Sequence, residues 1–289
     1  MNMAKAKVLI IGCGDLGGTV AEQLSVMGVD VTGVRRSAAA IGGVNTIQAD
    51  VTDPKSLETL KDLQPEILIY CVAANGQTDA QYKSHYVDGL NHVLATQVTN
   101  ILLKHVFFVS STRVYGQATD TLLDESSPVI ATDFGGERLL EAEALLNNLT
   151  CNTTVLRLSG IYGVGRLRMI NLAKDPQNWP AQNTWTNRIN KDDAAAFMVY
   201  LVTQALANKS VNECYIVTDS KPSSQYEVLT WLANQLHVKF NLNTPPIAGG
   251  KRLSNQSMLD TGFQLQYPNF KTGYQALLTD VTKARESLI

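Results

Sequence analysis

Residues 8–18 read Val-Leu-Ile-Ile-Gly-Cys-Gly-Asp-Leu-Gly-Gly, and a helical pattern follows them. The apolar run predicts a buried β-strand that passes directly into a glycine-rich turn and a helix. In this setting the first glycine makes the tight turn, the second lets the backbone approach a pyrophosphate, and the third allows helix and strand to pack closely. The helix start also presents N–H groups and a positive dipole end to phosphates. The spacing is therefore a dinucleotide-binding fingerprint. Its candidate cofactor contacts are Gly12, Gly14, Asp15, Leu16 and Gly17.

The second strand-like stretch ends in basic residues. Residues 30–37 read Asp-Val-Thr-Gly-Val-Arg-Arg-Ser, at the place where an NAD site usually carries an acid that binds the ribose 2′-hydroxyl. A guanidinium suits a 2′-phosphate, which it can bind through two N–H groups, better than a neutral diol. Arg35 and Arg36 therefore favour NADP, with NAD left open. The alternative is that these two arginines only cap a solvated loop.

The composition is that of an ordinary globular protein. The 289 residues are 45% hydrophobic and 17% charged, with a formal net charge of −2, so the chain can bury a core. This charge gives no reason to expect nucleic acid or an anionic membrane as partner. No apolar run reaches about 18 residues, and the first seven residues are too short and polar for a secretory leader. We expect a cytoplasmic protein that acts on a small-molecule substrate, and we leave a homodimer open.

The cysteines and histidines do not predict a metal site. The four cysteines are scattered and form no Cys-x-x-Cys pair, which is typical of reduced intracellular thiols. His85 and His92 lie two turns apart on a predicted helix, too far apart to share one ion without other ligands. No metal cofactor is expected.

Strand-like runs alternate with helical patterns as far as about residue 159, which is typical of repeated βαβ units and a parallel sheet. The later runs are 45–49, 67–72, 106–110 and 154–158, and the long helices are 80–103 and 133–147. Beyond residue 162 the pattern loosens, with one clear strand at 214–217 and three or more helices. We predict an α/β fold with a Rossmann-type doubly wound parallel sheet. Its NAD(P)-binding domain spans residues 1–160, and a smaller mixed α/β substrate-side lobe, interleaved with it, spans 161–289.

More specific residues follow the fifth predicted strand. Residues 107–116 read Phe-Phe-Val-Ser-Ser-Thr-Arg-Val-Tyr-Gly, and further motifs are Asp-Val-Thr-Asp at 50–53, Leu-Arg-Leu-Ser-Gly-Ile-Tyr-Gly at 156–163 and Asn-Arg-Ile-Asn-Lys-Asp-Asp at 187–193. In this order they resemble the extended short-chain dehydrogenase/reductases, the NAD(P)-dependent epimerase/dehydratases. The resemblance extends to about residue 275.

This resemblance implies roles for individual residues. Ser111 stands where the family places the serine or threonine that hydrogen-bonds a substrate carbonyl or hydroxyl. Asp50 and Val51 would border the adenine. The turn containing Ala73 and Ala74 would pass beside the nicotinamide ribose and the phosphates.

The family's catalytic dyad is replaced in this chain. The family carries a tyrosine and, four residues later, a lysine, and these positions hold Phe134 and Arg138. A phenyl ring exchanges no proton, and a guanidinium with a pKa above about 12 is no proton relay. Arg138 can still contact the cofactor ribose. The glycine loop also has the form Gly-x-Gly-x-x-Gly. With this loop and the changed dyad, the chain resembles the members of the family that are called atypical.

Other residues are candidates for the missing roles. Tyr115 is the least speculative substitute acid or base, because it shares one post-strand turn with Ser111, although the family commonly uses this tyrosine for packing. Asn187 and Arg188 are candidate substrate contacts, since an arginine in the second lobe can bind a carboxylate or phosphate.

Two functions remain open. The first is an NADP-dependent oxidoreductase or epimerase/dehydratase-like enzyme with an atypical active site, acting on an unknown substrate of the sugar-nucleotide type. A moved acid is feasible there because hydride chemistry belongs to the cofactor. The alternative is a non-catalytic NADP(H)-binding sensor or regulatory protein.

Overall fold

A computed structural model describes residues 6–241 and 243–286. The chain divides into two compact units. Unit 1 comprises Met1–Gly116, Val129–Arg157 and Ala195–Tyr215, and unit 2 comprises Gln117–Pro128, Leu158–Ala194 and Ile216–Ile289. The two units thus interleave along the chain. The functional boundary near residue 160 stays a prediction.

The strands are β1 (Lys7–Ile11), β2 (Asp30–Arg35), β3 (Asn45–Gln48), β4 (Ile67–Tyr70), β5 (His105–Ser111), β6 (Leu122–Leu123), β7 (Asn152–Leu158), β8 (Gly160–Tyr162), β9 (Asn183–Thr186), β10 (Arg188–Asn190), β11 (Cys214–Val217), β12 (Ser223–Ser224), β13 (Ile247–Gly250) and β14 (Arg252–Leu253). The α-helices are α1 (Asp15–Val26), α2 (Asp79–Tyr82), α3 (Gly89–Thr96), α4 (Phe134–Leu145), α5 (Arg168–Ala173), α6 (Lys191–Leu206), α7 (Gln225–Gln235), α8 (Gln256–Asp260) and α9 (Phe270–Glu286). Shorter 3₁₀ segments join several of them.

A seven-stranded sheet with the order β11-β7-β5-β4-β1-β2-β3 forms the centre of the fold. β1 pairs in parallel with both β2 and β4, and the pairings β2–β3 and β4–β5 are also parallel. All four residues of β4 are buried, as expected for a parallel strand covered on both faces. The predicted Rossmann-type parallel sheet is confirmed.

The predicted helix over 80–103 is divided and shorter. α2 passes into a π-helical segment, Lys83–Asp88, and α3 then ends at Thr96. The reason for this end is that Gln97 and Asn100 turn their side-chain amides onto the carbonyls of Leu60 and Pro65, at 2.8 and 2.9 Å. These long-range hydrogen bonds replace continued helix.

Unit 2 contains more strands than its sequence pattern indicates. Most have two to four residues, too few to show a period. Its core includes two aromatic contacts, a stack of Tyr162 on Tyr274 at 4.3 Å between ring centroids and an edge-on contact of Trp179 with Tyr226 at 5.6 Å. Among the described residues of the whole chain, no helix has the length and apolar character needed to cross a membrane.

Candidate functional site

The glycine loop joins β1 to α1 in unit 1, and two of its glycines are required by close packing. Gly12 has φ +91°, and a Cβ there would lie 2.4 Å from the carbonyl oxygen of Cys71. A Cβ at Gly17 would lie 2.4 Å from the carbonyl oxygen of Gly12. Both distances are shorter than any real contact, so the turn and the helix approach require glycine at these positions.

Gly14 is different, because a Cβ there would have no protein atom within 4 Å. It immediately precedes α1, and no side chain caps that helix start. Gly14 and Asp15 are exposed, whereas Leu16 and Gly17 are buried beneath them. Open space beside a glycine and an uncapped helix N-terminus are the two features that a pyrophosphate needs. The loop therefore fits a dinucleotide.

The end of β2 carries the two arginines. Arg36 is exposed, whereas Arg35 is half-buried and donates from Nη1 to the carbonyl of Ala39 at 3.4 Å. Asp50, after β3, accepts hydrogen bonds from the backbone N–H and the hydroxyl of Thr52, at 2.9 and 2.8 Å. Burial raises the pKa of Asp50, but these hydrogen bonds and the charge of Arg36 outweigh it and lower the pKa. Val51 is buried beside it.

The turn after β4 holds the alanines that the family resemblance singles out. Ala73 is exposed and Ala74 is half-buried. The backbone of Ala74 hydrogen-bonds the phenol of Tyr86, whose pKa burial raises to about 12 despite that bond. This turn is thus tied to the π-helical segment that follows α2.

Ser111 lies at the end of β5 and caps a short 3₁₀ turn. Its Oγ accepts from the backbone N–H of Arg113 at 3.2 Å. The Arg113 guanidinium donates from Nε to both carboxylate oxygens of Asp133, at 2.8 and 3.0 Å, and from Nη1 to Tyr82 Oη at 2.8 Å and Gln77 Oε1 at 3.0 Å. Burial opposes the charge of Arg113, but the bonds to Asp133 and Tyr82 outweigh it and raise its pKa.

Phe134, which the family resemblance assigns to the tyrosine position, is the first residue of α4 and packs in this cluster. Its ring meets the Tyr82 ring edge-on at 5.4 Å, and the Arg113 guanidinium lies 5.0 Å from each ring centroid. Arg113 thus links two residues singled out from the sequence, because its backbone N–H donates to Ser111 and its guanidinium packs against the Phe134 ring. The same guanidinium donates to the phenol of Tyr82.

Arg138, which the family resemblance assigns to the lysine position, is held by two carboxylates. Nε and Nη2 donate to the two oxygens of Asp79 at 2.7 and 3.1 Å, and Nη1 donates to Glu141 at 2.6 Å. The hydrogen bond from Arg138 lowers the pKa of Asp79. The positive charge at this position is therefore compensated within unit 1. Contact of Arg138 with the cofactor ribose stays a prediction.

Tyr115 is fully buried, and its hydroxyl accepts from Arg157 Nη1 at 2.7 Å. The Arg157 guanidinium also lies 5.1 Å from the Tyr115 ring centroid. This environment favours the packing role over the acid or base role for Tyr115.

In unit 2, Asn187 and Arg188 are engaged by their own unit. The Asn187 amide donates to the carbonyl of Lys251 at 2.9 Å and accepts from the N–H of Leu253 at 3.0 Å. Arg188 is 5% exposed and lies over the Phe270 ring at 5.5 Å. Substrate contact by either residue stays a prediction.

Sequence reasoning did not single out Tyr82 and Arg113 as site residues. The sequence did contain an indirect sign of Arg113. Gly135 and Gly136 lie in the first turn of α4, although glycine is unfavourable in a helix, and their presence indicates that another group packs closely there. A Cβ at Gly135 would lie 2.4 Å from the Arg113 guanidinium carbon. No cluster of histidine, cysteine or carboxylate side chains suited to a metal ion occurs among residues 6–241 and 243–286.

Residues 8–214 match the model of the family described as NAD dependent epimerase/dehydratase family. A solved structure from Methylobacillus flagellatus, named provisionally as an NAD-dependent epimerase/dehydratase, is 48% identical with a TM-score of 0.88, covering 96% of this chain and 100% of that one. A search of curated proteins found no match.

Two more distant structures share the fold. The Bordetella bronchiseptica enzyme WbmG, solved with NAD and UDP, is 18% identical with a TM-score of 0.79, covering 97% of this chain and 96% of that one. The UDP-glucose 4-epimerase of Thermotoga maritima, solved with UDP-glucose, is 17% identical with a TM-score of 0.77, covering 98% of this chain and 100% of that one.

Proposed function

Since the chain belongs to the NAD dependent epimerase/dehydratase family, we propose that it binds NAD(P) in unit 1 and catalyses reversible hydride transfer on a nucleotide-sugar substrate. The observation that carries this proposal is the glycine loop, where open space at Gly14 meets an uncapped helix start. Bound there, the cofactor would accept or return a hydride at its nicotinamide.

The chain's own residues then have separate tasks. The loop from Gly12 to Gly17 holds the pyrophosphate through backbone N–H groups. Asp50 and Val51 border the adenine, and Ala73 and Ala74 line the path towards the nicotinamide. Ser111 hydrogen-bonds the oxygen of the reacting carbon.

NADP is the cofactor that the end of β2 favours. Arg36 is exposed and Arg35 adjoins it, so a 2′-phosphate would meet two guanidinium groups. The carboxylate of Asp50, after β3, has one oxygen occupied by its hydrogen bonds to Thr52.

The nucleotide-sugar class is supported by family membership and by the ligands in the neighbouring structures, UDP with WbmG and UDP-glucose with the Thermotoga enzyme. A second function, a non-catalytic NADP(H) sensor, is favoured by one observation. The charge at the family's lysine position is compensated by Asp79 and Glu141.

One experiment separates the two functions. The purified chain is titrated calorimetrically with NADP(H) and NAD(H), and then incubated with oxidised cofactor and a panel of UDP-sugars. Formation of an isomerised or dehydrated sugar nucleotide, read by chromatography, is the result expected for the enzyme. Cofactor binding with no product from any sugar nucleotide would favour the sensor. Absence of cofactor binding would overturn both.

A further inference from the structure

We propose that Tyr82 and Arg113 form the proton-transfer pair of this site, in place of the tyrosine and lysine that the family carries at the positions of Phe134 and Arg138. This inference rests on the proposed function and assigns its missing acid and base.

The charge of Arg138, the cation expected beside the phenol, is compensated by carboxylates. Arg138 makes three hydrogen bonds to the carboxylates of Asp79 and Glu141. Two carboxylates thus occupy Nε, Nη1 and Nη2 of Arg138. Arg113, in contrast, pairs at Nε with one carboxylate, that of Asp133, and directs Nη1 at the phenol of the proposed pair. A cation matched by two carboxylates stabilises a further negative charge less than a cation matched by one. If the site uses a cation beside a phenol, another residue must provide it.

Arg113 is a cation held in one position. It pairs with Asp133 through Nε and with Gln77 and Tyr82 through Nη1, while its guanidinium carbon lies 5.0 Å from each of two aromatic ring centroids. Asp133 is itself fixed, because it caps α4 by accepting from the N–H of Gly136 at 2.9 Å. A guanidinium held in this way loses little conformational entropy when it stabilises a negative charge.

The start of α4 is built around Arg113. Besides the clash at Gly135, a Cβ at Gly136 would lie 2.9 Å from the carbonyl oxygen of Arg113. Each glycine costs a helix about 0.5–1 kcal/mol relative to alanine, so two in succession indicate that the space is needed. The helix that carries the dyad in the family here makes room for a guanidinium.

Tyr82 supplies a phenol next to the position where the family has one. Its ring contacts the Phe134 ring, and its Oη accepts from Arg113 Nη1 at 2.8 Å and donates to Gln77 Oε1 at 3.2 Å. A guanidinium N–H on a phenolic oxygen makes a charge-assisted hydrogen bond when that oxygen becomes a phenolate. This relation between phenol and cation is the one that the family obtains from its tyrosine and lysine.

When a substrate carbonyl is reduced, its C=O π bond breaks and its oxygen takes the proton of Tyr82 Oη. Bound NAD(P)H would supply the hydride, with its electron pair, to the carbon. Tyr82 is left as a phenolate, which Arg113 Nη1 stabilises. In the oxidative direction the phenolate takes the hydroxyl proton back while the hydride leaves the carbon.

The kinetic test compares Tyr82→Phe with Tyr226→Phe. Tyr226 is a matched control because it is also a buried tyrosine with an edge-on ring contact and one hydrogen bond, to the carbonyl of Pro180, and it lies in unit 2. With oxidised cofactor and UDP-sugars, Tyr82→Phe is expected to lower turnover by about a hundredfold or more. Its cofactor and UDP affinities should stay unchanged. Wild-type turnover in Tyr82→Phe would overturn the proposal.

Arg113 is tested in the same assay. Arg113→Met keeps the apolar stem and removes the charge, so turnover is expected to fall as far as in Tyr82→Phe. Arg113→Lys keeps the charge and should recover part of that loss. Equal activity of Arg113→Met and wild type would overturn the role of the cation.

A second measurement does not depend on turnover. All ten tyrosines are replaced by 3-fluorotyrosine, and the Tyr82 signal is assigned by its loss in Tyr82→Phe. At saturating ligand its ¹⁹F shift is expected to respond to NADP⁺ and not to 2′-phospho-ADP-ribose, which differs from it only by lacking the nicotinamide. An identical response to both, or to neither, would overturn the proposal.

The two measurements keep the proposals apart. A nicotinamide-specific ¹⁹F response in a protein that converts no UDP-sugar would overturn the proposed substrate class and support the position of Tyr82. Conversion of a UDP-sugar without any such response would support the proposed function and overturn the pair.

Discussion

Arg157 and Glu143 form a buried ion pair in unit 1, with Nη2 donating to Oε2 at 2.7 Å and side chains that are 11% and 10% exposed. Ser110 donates to the same carboxylate at 2.6 Å, and Arg157 also donates to Tyr115. Removing one partner of such a pair leaves an uncompensated buried charge. Removing both leaves none.

We therefore expect Glu143→Leu to lower the free energy of unfolding by about 3–5 kcal/mol. The double variant Glu143→Leu with Arg157→Met should lose clearly less of its free energy of unfolding than Glu143→Leu alone. Urea unfolding measures both, and Glu58→Leu, which breaks the exposed pair with Lys61, is the control, with a loss of about 1 kcal/mol or less. A double variant that is less stable than the single one would contradict this account.

Tyr115→Phe separates the two readings of that residue. Loss of its hydroxyl leaves Arg157 Nη1 without its acceptor, so we expect a stability loss of about 1–3 kcal/mol. If Tyr115 only packs, the remaining folded protein keeps its turnover of UDP-sugars. Loss of turnover in folded Tyr115→Phe would instead make Tyr115 the acid or base and count against Tyr82.

The cofactor preference depends on the end of β2. We expect wild type to bind NADP(H) more tightly than NAD(H), and Arg36→Asp to reduce or reverse the preference, by about ten- to a hundredfold in the ratio of dissociation constants. Arg35→Asp should have the smaller effect, because Arg35 is half-buried and bonded to Ala39. Isothermal titration calorimetry measures the two dissociation constants of each protein. Arg168→Asp, an exposed arginine of unit 2, has the same charge change and should leave the ratio as in wild type.

Two glycines of the loop should respond differently to substitution. Gly14→Val adds a side chain in open space, so the melting temperature without cofactor should stay near that of wild type. The increase in melting temperature on adding NADP should disappear, since lost binding is lost stabilisation. Gly12→Ala should instead destabilise the fold itself, because of its φ of +91° and the contact with Cys71. An undiminished cofactor shift in Gly14→Val would place the nucleotide elsewhere.

Asp219 gives unit 2 a pH-dependent stability. Burial raises its pKa from 3.8 to about 7, against a hydrogen bond from the Lys221 backbone and the charge of Arg188. The folded protein therefore binds the proton more tightly than the unfolded chain. The contribution of protonated Asp219 to the free energy of unfolding is fully present below about pH 4 and is lost as the pH rises to about 7.

Asp219→Asn should remove this part of the pH dependence. Urea unfolding at about pH 5 and about pH 8 should show that wild type loses more stability over this interval than the variant. Asp175→Asn, at an exposed aspartate of unit 2, is the control and should follow wild type. The same slope in Asp219→Asn and wild type would assign the pH dependence to other groups.

The sequence by itself determined the features that depend on neighbouring residues. β1, the glycine loop and α1 were predictable, because residues 8–26 contain both the apolar period and the glycine spacing. The succession of later strands along the chain, and their parallel arrangement, followed from the alternation of strand-like and helical patterns. The assignment of Phe134 and Arg138 to the dyad positions also came from the sequence, through the family resemblance, and it stays a prediction.

Tertiary structure alone decided what those residues contact. Arg113 meets Tyr82 across 31 residues, and Arg138 meets Asp79 across 59. Such pairs produce no periodic pattern in the sequence, because the path of the strands and loops between the two residues sets their separation. For the same reason the sequence did not show that Tyr115 is buried against Arg157, or that α3 ends where Gln97 and Asn100 reach distant carbonyls. Local patterns determine which elements form, and long-range packing determines which charges and hydroxyls face each other.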